Sequence, residues 1–151
     1  MKPDVVLRPS RPEDAPGCAA VFNAWVDATV WMPRVHPPDD VARHFRETVL
    51  PTRVVTVAAE PDGAVVGFLA LGEGVVDGLY LAPAARRQGI GAALVERAKA
   101  AAPTGLKLWT FVANESARRF YAAQGFVELR RTDGDNEERL PDILLAWPGW
   151  P

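Results

Sequence analysis

Pro83 and the glycine pair Gly89 and Gly91 constrain this chain more than any other residues. Between Val75 and Ala101 it reads VVDGLYLAPAARRQGIGAALVERAKAA. Val75, Val76, Leu79, Tyr80 and Leu81 are strand formers, and a proline donates no ladder hydrogen bond, so the strand closes at Pro83. Beyond the corner, Ile90, Leu94, Val95 and Ala98 recur at helical spacing, with Glu96, Arg97 and Lys99 turned outward. The spacing predicts a helix starting near Gly89.

A helix start leaves backbone N–H groups without partners and carries a partial positive charge, so it draws anions, phosphate above all. Gly89 and Gly91 let the backbone approach a ligand closely. Arg86 and Arg87 bring two guanidinium forks to the same rim, and such forks match phosphate oxygens in pairs. The corner reads as a pyrophosphate cradle; the alternative is a tight turn with close helix packing. Other glycine loops fit worse. A triphosphatase loop ends in Gly-Lys-Ser/Thr, whereas Ala92 and Ala93 follow Gly91. A dinucleotide fingerprint needs a third Gly or Ala near Leu94 and an acid about 20 residues on, where Lys107, Leu108 and Trp109 stand.

With 151 residues the chain suits a single domain spanning 1–151 with a substantial core. Its 48% hydrophobic and 24% charged residues are those of a globular protein, not a disordered one. The formal charge of -2, with no Lys/Arg run beyond the arginine pair, argues against a nucleic-acid partner. No apolar run approaches the ~20 residues of a membrane span, and Met1-Lys2-Pro3-Asp4 does not begin a signal peptide; the expected location is the cytoplasm, with no membrane partner. Cys18 stands alone in an apolar helical stripe with Phe22, Trp25, Val26 and Thr29, which favours core packing over a nucleophile. His36 and His44 lack the spacing of a metal site, so no metal is expected.

Val5-Val6-Leu7 predicts a first strand, and Ser10, Pro12 and Glu13 a capping box opening a helix that runs to about Ala28. Val30 to Pro38 is bulky, proline-broken and aperiodic: a loop, either a lid over a cleft or a satellite cluster on the core. Asp39 or Asp40 caps a second helix through Val41, Phe45 and Val49, ended by Pro51. Runs 53–59 and 64–71 flank Glu60-Pro61-Asp62-Gly63 as a hairpin, and Gly72-Glu73-Gly74 turns into the strand at 75–81. After the glycine-corner helix, 106–112 alternates as a strand reached by a crossover, hence parallel to 75–81. Asn114 begins another helix that Gly125 stops, and strands follow at 127–132 and 143–147 around a polar turn at 132–139. The expected fold is α/β, with a mixed, mainly antiparallel sheet of six to seven strands and helices on both faces.

Arg86-Arg87-Gln88-Gly89-Ile90-Gly91, after Leu79-Tyr80-Leu81-Ala82-Pro83, resembles the Arg/Gln-x-x-Gly-x-Gly/Ala signature of the GNAT acetyltransferase superfamily. Asn114 to Phe126, NESARRFYAAQGF, looks like that superfamily's Asn-x-x-Ala-x-x-Phe-Tyr-x-x-x-Gly-Phe segment. The resemblance extends from about Leu7 to Trp147. It implies acetyl-coenzyme A, its phosphates held by Arg86, Arg87 and the backbone at Gln88, Gly89, Ile90, Gly91 and Ala92. The pantetheine arm would lie along Leu79, Tyr80 and Leu81, where this strand and 106–112 splay apart. Ala117 leaves room beside the stripe joining Asn114 to Tyr121, two helical turns apart.

The resemblance further implies that Asn114 bonds the arm and that Tyr121 donates a proton to the departing thiolate. A phenol near pKa 10 remains an acid at neutral pH. The plainer roles are a helix cap for Asn114 and a half-buried aromatic for Tyr121. An alkylamine acceptor of pKa ~10 must lose a proton. Asp77 and Glu73 are the acids nearest in sequence to the transfer point, and strand alternation puts Asp77 on the face opposite Tyr80. Trp31, Met32, His36 and Asp77 form an expected acceptor site, aromatic and mildly acidic, for a small-molecule or peptide amine. The leading expectation is therefore an N-acetyltransferase working by direct transfer in a ternary complex. A non-catalytic acyl-coenzyme A sensor is a second class. A homodimerisation module built on Trp147 and Trp150 is a third, though it leaves the glycine corner unexplained.

Overall fold

The alternating runs pair into one seven-stranded sheet in a computed structural model that describes residues 4–151. The strands are β1 (Val6–Pro9), β2 (Val54–Ala59), β3 (Val65–Gly72), β4 (Val75–Leu81), β5 (Leu106–Phe111), β6 (Val127–Thr132) and β7 (Asp142–Trp147). Their order is β1-β2-β3-β4-β5-β7-β6, antiparallel except for β4 beside β5, which are parallel and joined by a helical crossover. The helices are α1 (Ala15–Ala28), α2 (Pro38–His44), α3 (Ile90–Ala101) and α4 (Glu115–Ala123). None among the described residues is long and apolar enough to cross a membrane.

Two apolar clusters hold the layers together. Phe68, Ala70 and Val57 meet Cys18, Val21 and Phe45 from α1 and the chain just past α2. Leu69, Leu71, Leu106, Leu108 and Ile143 meet Ile90, Leu94, Val95 and Ala98 of α3 and Tyr121 of α4. Ile90 and Leu94 are fully buried, each worth about 1.5–3 kcal/mol relative to exposure. The helices thus lie on both faces, as expected.

Four local expectations give way to tertiary context. Arg11 and Asp14, rather than Ser10 and Glu13, organise the entry to α1: the Arg11 N–H donates to Asp14 Oδ2 at 2.7 Å, and Arg8 grips the same buried carboxylate at 2.7 and 2.9 Å. Ser10 instead extends the sheet, its N–H donating to Val55 O. Pro51 does not end the second helix where the pattern stops. The helix widens at Phe45–Val49, with Leu50 N–H reaching five residues back to Phe45 O, and one more turn, Leu50–Thr52, contains the proline.

Lys99 does not turn outward. It is buried, donates to Gln124 O at 2.7 Å, and lies 5.0 Å from the Trp147 ring centroid. Trp147, expected with Trp150 to offer a surface for dimerisation, is buried and closes the core from β7, while Trp150 N–H donates to Pro103 O and keeps the tail beside the end of α3. Lys99 therefore ties the ends of α3 and α4 together, fixing two walls of the cleft described next.

Candidate active site

β4 and β5 begin as neighbours and then part. Val75 and Lys107 form the one paired position between them, where Lys107 N–H donates to Gly74 O at 2.9 Å. Further along, β4 keeps its bonds to β3 but leaves its other edge unpaired, so backbone groups from Gly78 to Leu81 face a cleft of about 480 Å³. β5 forms the opposite wall through Leu108 to Phe111, the start of α3 contributes Gly91, and α4 contributes Asn114, Ala117, Phe120 and Tyr121.

The corner at the head of this cleft requires glycine. Gly89 precedes α3 at φ 80°, a left-handed conformation that costs a residue with a Cβ about 1–2 kcal/mol. At Gly91 a Cβ would stand 3.3 Å from the Phe120 ring. The first N–H groups of α3 have no intrahelical acceptor, and the exposed Arg86 and Arg87 line the cleft beside them. Unpaired amides, two guanidiniums and an open strand edge suit a ligand that carries both phosphates and amides.

Leu79, Tyr80, Leu81, Arg86, Arg87, Gly91, Asn114, Ala117 and Tyr121 all come together on these walls. Gln88, Gly89, Ile90 and Ala92 do not line them. Ile90 is a core side chain with no exposure, and Gln88 turns back to donate to Ala84 O at 2.7 Å, so these two offer a ligand only their backbone.

Tyr121 is buried against Phe120 and Phe126, with ring centroids 5.2 and 5.4 Å away. Burial, and secondarily the Tyr80 phenol, pushes its pKa well above the ordinary value, so it stays protonated through neutral pH. Asn114 caps α4, its Oδ1 accepting from Ala117 N–H at 3.2 Å, and lines the cleft at the same time. Cys18 has no exposure, and burial pushes its thiol to about 12, which removes it as a nucleophile near neutral pH.

A second cleft of about 720 Å³ opens toward α1 and α2. Asp77, Gly78 and Tyr80 line both clefts, so the two meet at the middle of β4. Tyr80 sits 5.1 Å from Phe22, 5.2 Å from Trp25 and 5.8 Å from Phe68, between ring centroids. Burial, then the negative charge of Glu138, raises its phenol to about 12.

Asp77 is not on the face opposite Tyr80. Ala70 pairs with Gly78 and Leu71 with Val76, so Asp77 is the extra residue of a β-bulge, and the slip of one position turns it toward the side of Tyr80. Nor is its carboxylate free, because Arg53 Nε donates to Asp77 Oδ2 in an ion pair. Of the other expected acceptor residues, His36 lines the second cleft, bonded to Glu137 at 3.0 Å across its mouth.

Trp31 and Met32 line neither cleft. Trp31 packs edge-on against Trp25 and Phe111, each 5.8 Å away, and Met32 N–H turns back to Thr29 O. The loop at 30–38 is thus a satellite cluster that Arg34 pins to α1 through Asn23 and Asp27. Asp40, His44, Phe45, Arg53, Glu137 and Glu138 complete the second cleft and were missed from the sequence. Only the adjacent acids Glu137 and Glu138 in an otherwise small, polar turn gave a sign.

Residues 51–128 match the family described as Acetyltransferase (GNAT) domain. The chain is 30% identical over 136 residues to the peptidyl-lysine N-acetyltransferase YiaC of Escherichia coli K12, covering 85% of this chain and 89% of that protein. It is 32% identical over 151 residues to the peptidyl-lysine N-acetyltransferase YjaB of the same strain, covering 96% and 98%. The solution structure of apo YjaB from Escherichia coli superposes with a TM-score of 0.78 at 30% identity, over 97% of this chain and 99% of that one. A Sinorhizobium meliloti phosphinothricin acetyltransferase in complex with AcCoA shares the fold, with a TM-score of 0.76 at 20% identity over 97% and 89%.

Proposed function

The chain belongs to the GNAT family of acetyltransferases, and from that premise we propose that it moves an acetyl group from acetyl-coenzyme A to the ε-amine of a peptidyl lysine, by direct transfer in a ternary complex. The observation that carries the reading is the open edge of β4 leading into the unpaired amides of α3. An extended amide-bearing arm adds to that edge as a short strand would, and the diphosphate rests at the helix start.

Acetyl-coenzyme A, when bound, supplies an acetyl group on a thioester. The protein does the rest by placement. Arg86, Arg87 and the backbone N–H groups from Gln88 to Ala92 hold the phosphates. Leu79, Tyr80 and Leu81 offer the strand edge, and Asn114 presents its amide while capping α4. Ala117 and Gly91 contribute small surfaces that leave the passage open.

Tyr121 holds a proton at its hydroxyl oxygen for the leaving sulfur, and its raised pKa keeps that proton in place. The buried, high-pKa Cys18 supports a route with no acyl-enzyme on sulfur. The acceptor enters from the second cleft. Phe22, Phe45 and Phe68 line it with apolar surface for a lysine stem, and its carboxylates favour a cationic head.

Thiol release measured with acetyl-coenzyme A and lysine-bearing peptides tests this directly. Turnover that stops when the lysine side chain is methyl-capped as the tertiary amine is the expected result. Turnover of small amines with none of the peptides would overturn the peptidyl-lysine assignment.

A further inference from the structure

Asp77, the acid expected from its nearness in sequence to the transfer point, has its carboxylate engaged by Arg53, which directs attention to the other acids of the cleft. The remaining carboxylates of the acceptor cleft separate by their partners. Asp40 is paired with Arg43 at 2.6 Å and Glu137 with His36 at 3.0 Å. Glu138 alone of these carboxylates has no side-chain hydrogen-bond or ion-pair partner among the described residues. It is half-buried, and it lines both the acceptor cleft and a neighbouring cavity of about 410 Å³ beneath the β6–β7 turn.

The turn that carries it is tightly built. Asn136 Nδ2 donates to Leu140 O at 2.7 Å and to the buried Asp142 Oδ2 at 3.0 Å, while Asn136 Oδ1 accepts from Leu140 N–H at 3.2 Å. Thr132 Oγ1 accepts from the N–H groups of Gly134 and Asp135. Arg139, directly after Glu138, is held at φ 55°, a conformation that a non-glycine residue keeps only when its surroundings impose it. The carboxylate is therefore held by a bonded loop rather than carried on a loose one.

We propose that Glu138 is the general base, taking the proton from the acceptor ammonium at the junction of the two clefts. The assignment rests on the lysine-acetylation reading above. In the step, an N–H bond of the ammonium breaks and an O–H bond forms on Glu138, which leaves the nitrogen its lone pair. That pair forms the C–N bond as the C–S bond breaks, and sulfur departs with the C–S electrons and takes the Tyr121 proton. The second nitrogen proton, lost as the amide forms, restores Tyr121, and the Glu138 proton leaves to water, so one proton is released per turnover.

Glu138 is half-buried in the acceptor cleft and borders the cavity beneath the turn as well, whereas His44 of α2 lines the same cleft as an exposed residue, which favours Glu138. The charged and titratable groups around it are His36, His44, Arg53, Asp40, Asp77, Tyr80 and Glu137 on the acceptor side. Beneath the turn they are Asp135, Asp142 and Arg130, the last stacked 4.9 Å over the Trp109 ring.

The test is the pH dependence of kcat/KM for Nα-acetyl-lysine amide in wild type, Glu138→Gln, Glu138→Asp and His44→Gln. At pH 7, Glu138→Gln is expected to lose about 10²-fold. Its rate should then climb about tenfold per pH unit toward the amine pKa near 10, closing the gap as free amine accumulates. Glu138→Asp should recover part of the loss, and the calorimetric affinity for acetyl-coenzyme A should be unchanged in all variants, which also reports that they fold. A Glu138→Gln rate within threefold of wild type at pH 7, a loss equal at every pH, or the same profile produced by His44→Gln instead would overturn the assignment. Absence of turnover in wild type with any lysine probe would instead sink the underlying reading, and the two failures are distinct.

Discussion

The two clefts that meet at Gly78 and Tyr80 are built in opposite ways. The one between β4 and β5 is made largely of backbone: a strand edge left open, a left-handed glycine, and the start of a helix, drawn mainly from 75–92 and 114–121 and closed by the β5 wall at Leu108 to Phe111. The one beside α2 is made of side chains drawn from Phe22 to Glu138, on α1, α2, β3, β4 and the chain between elements. Backbone sites depend on a few residues that are small or conformationally permissive. Side-chain sites depend on which charges find partners, and that is decided across the whole fold. Substitutions should therefore act on one cleft at a time, and three of them put this division at risk.

The largest effect belongs to the β4–β5 cleft, at Tyr121. Tyr121→Phe removes one hydroxyl and keeps the ring between Phe120 and Phe126, so packing should hardly change. A drop of about 10²-fold in kcat, roughly 2.7 kcal/mol of barrier, is expected with acetyl-coenzyme A affinity within about twofold. Because burial raises this phenol above its ordinary value, wild-type kcat should show no loss of the Tyr121 proton up to about pH 10. A fall in kcat below threefold would leave Tyr121 as a packing residue and the β4–β5 cleft without its acid.

Gly91→Ala sharpens the backbone side. A methyl group here would stand 3.3 Å from Phe120 and narrow the passage at the head of α3. Alanine gains up to about 1 kcal/mol of helix propensity over glycine, which offsets that crowding, so the melting temperature should move little. Affinity for acetyl-coenzyme A should fall about tenfold while the KM of the amine stays put. An unchanged cofactor affinity would mean that Gly91 serves helix packing alone.

The same division explains what could be read in advance. Pro83, Gly89 and Gly91 act through their own conformations, so the strand, the corner and the start of α3 were legible, as were the strand order around the crossover and the walls at Asn114 and Tyr121. Lys99 was misplaced because the helical pattern knows only α3, whereas Gln124 O and Trp147 reach it from distant segments. Asp77 was assigned to the wrong side because a one-residue bulge reverses every subsequent position and leaves no mark in the residues themselves. Trp31 and Met32 promised a binding loop by their bulk, yet bulk on a loop also serves packing, as Trp31 does against Trp25 and Phe111. The paired and unpaired carboxylates of the acceptor cleft were beyond reach, since Arg53 and Asp77, or His36 and Glu137, become neighbours only in the folded chain.

Arg53→Gln probes the side-chain cleft and should give the smallest effect. Arg53 and Asp77 are each more than a third exposed, so their attraction is screened by water and worth under about 1 kcal/mol. The consequence lies in charge rather than stability. With the guanidinium gone, Asp77 faces the acceptor unneutralised and the cleft becomes more negative, so a cationic amine should bind better. The KM for a lysine peptide is expected to fall about threefold at low ionic strength, and the difference should shrink as salt rises to about 0.5 M and the Debye length drops to a few ångströms. Acetyl-coenzyme A affinity should stay the same, because the bulge turns Asp77 toward the α2 side of β4 while the phosphate cradle lies at the head of α3. A rise in KM would show that Arg53 holds Asp77 in a useful position, and a matching change in cofactor affinity would show that the two clefts are not separable at β4.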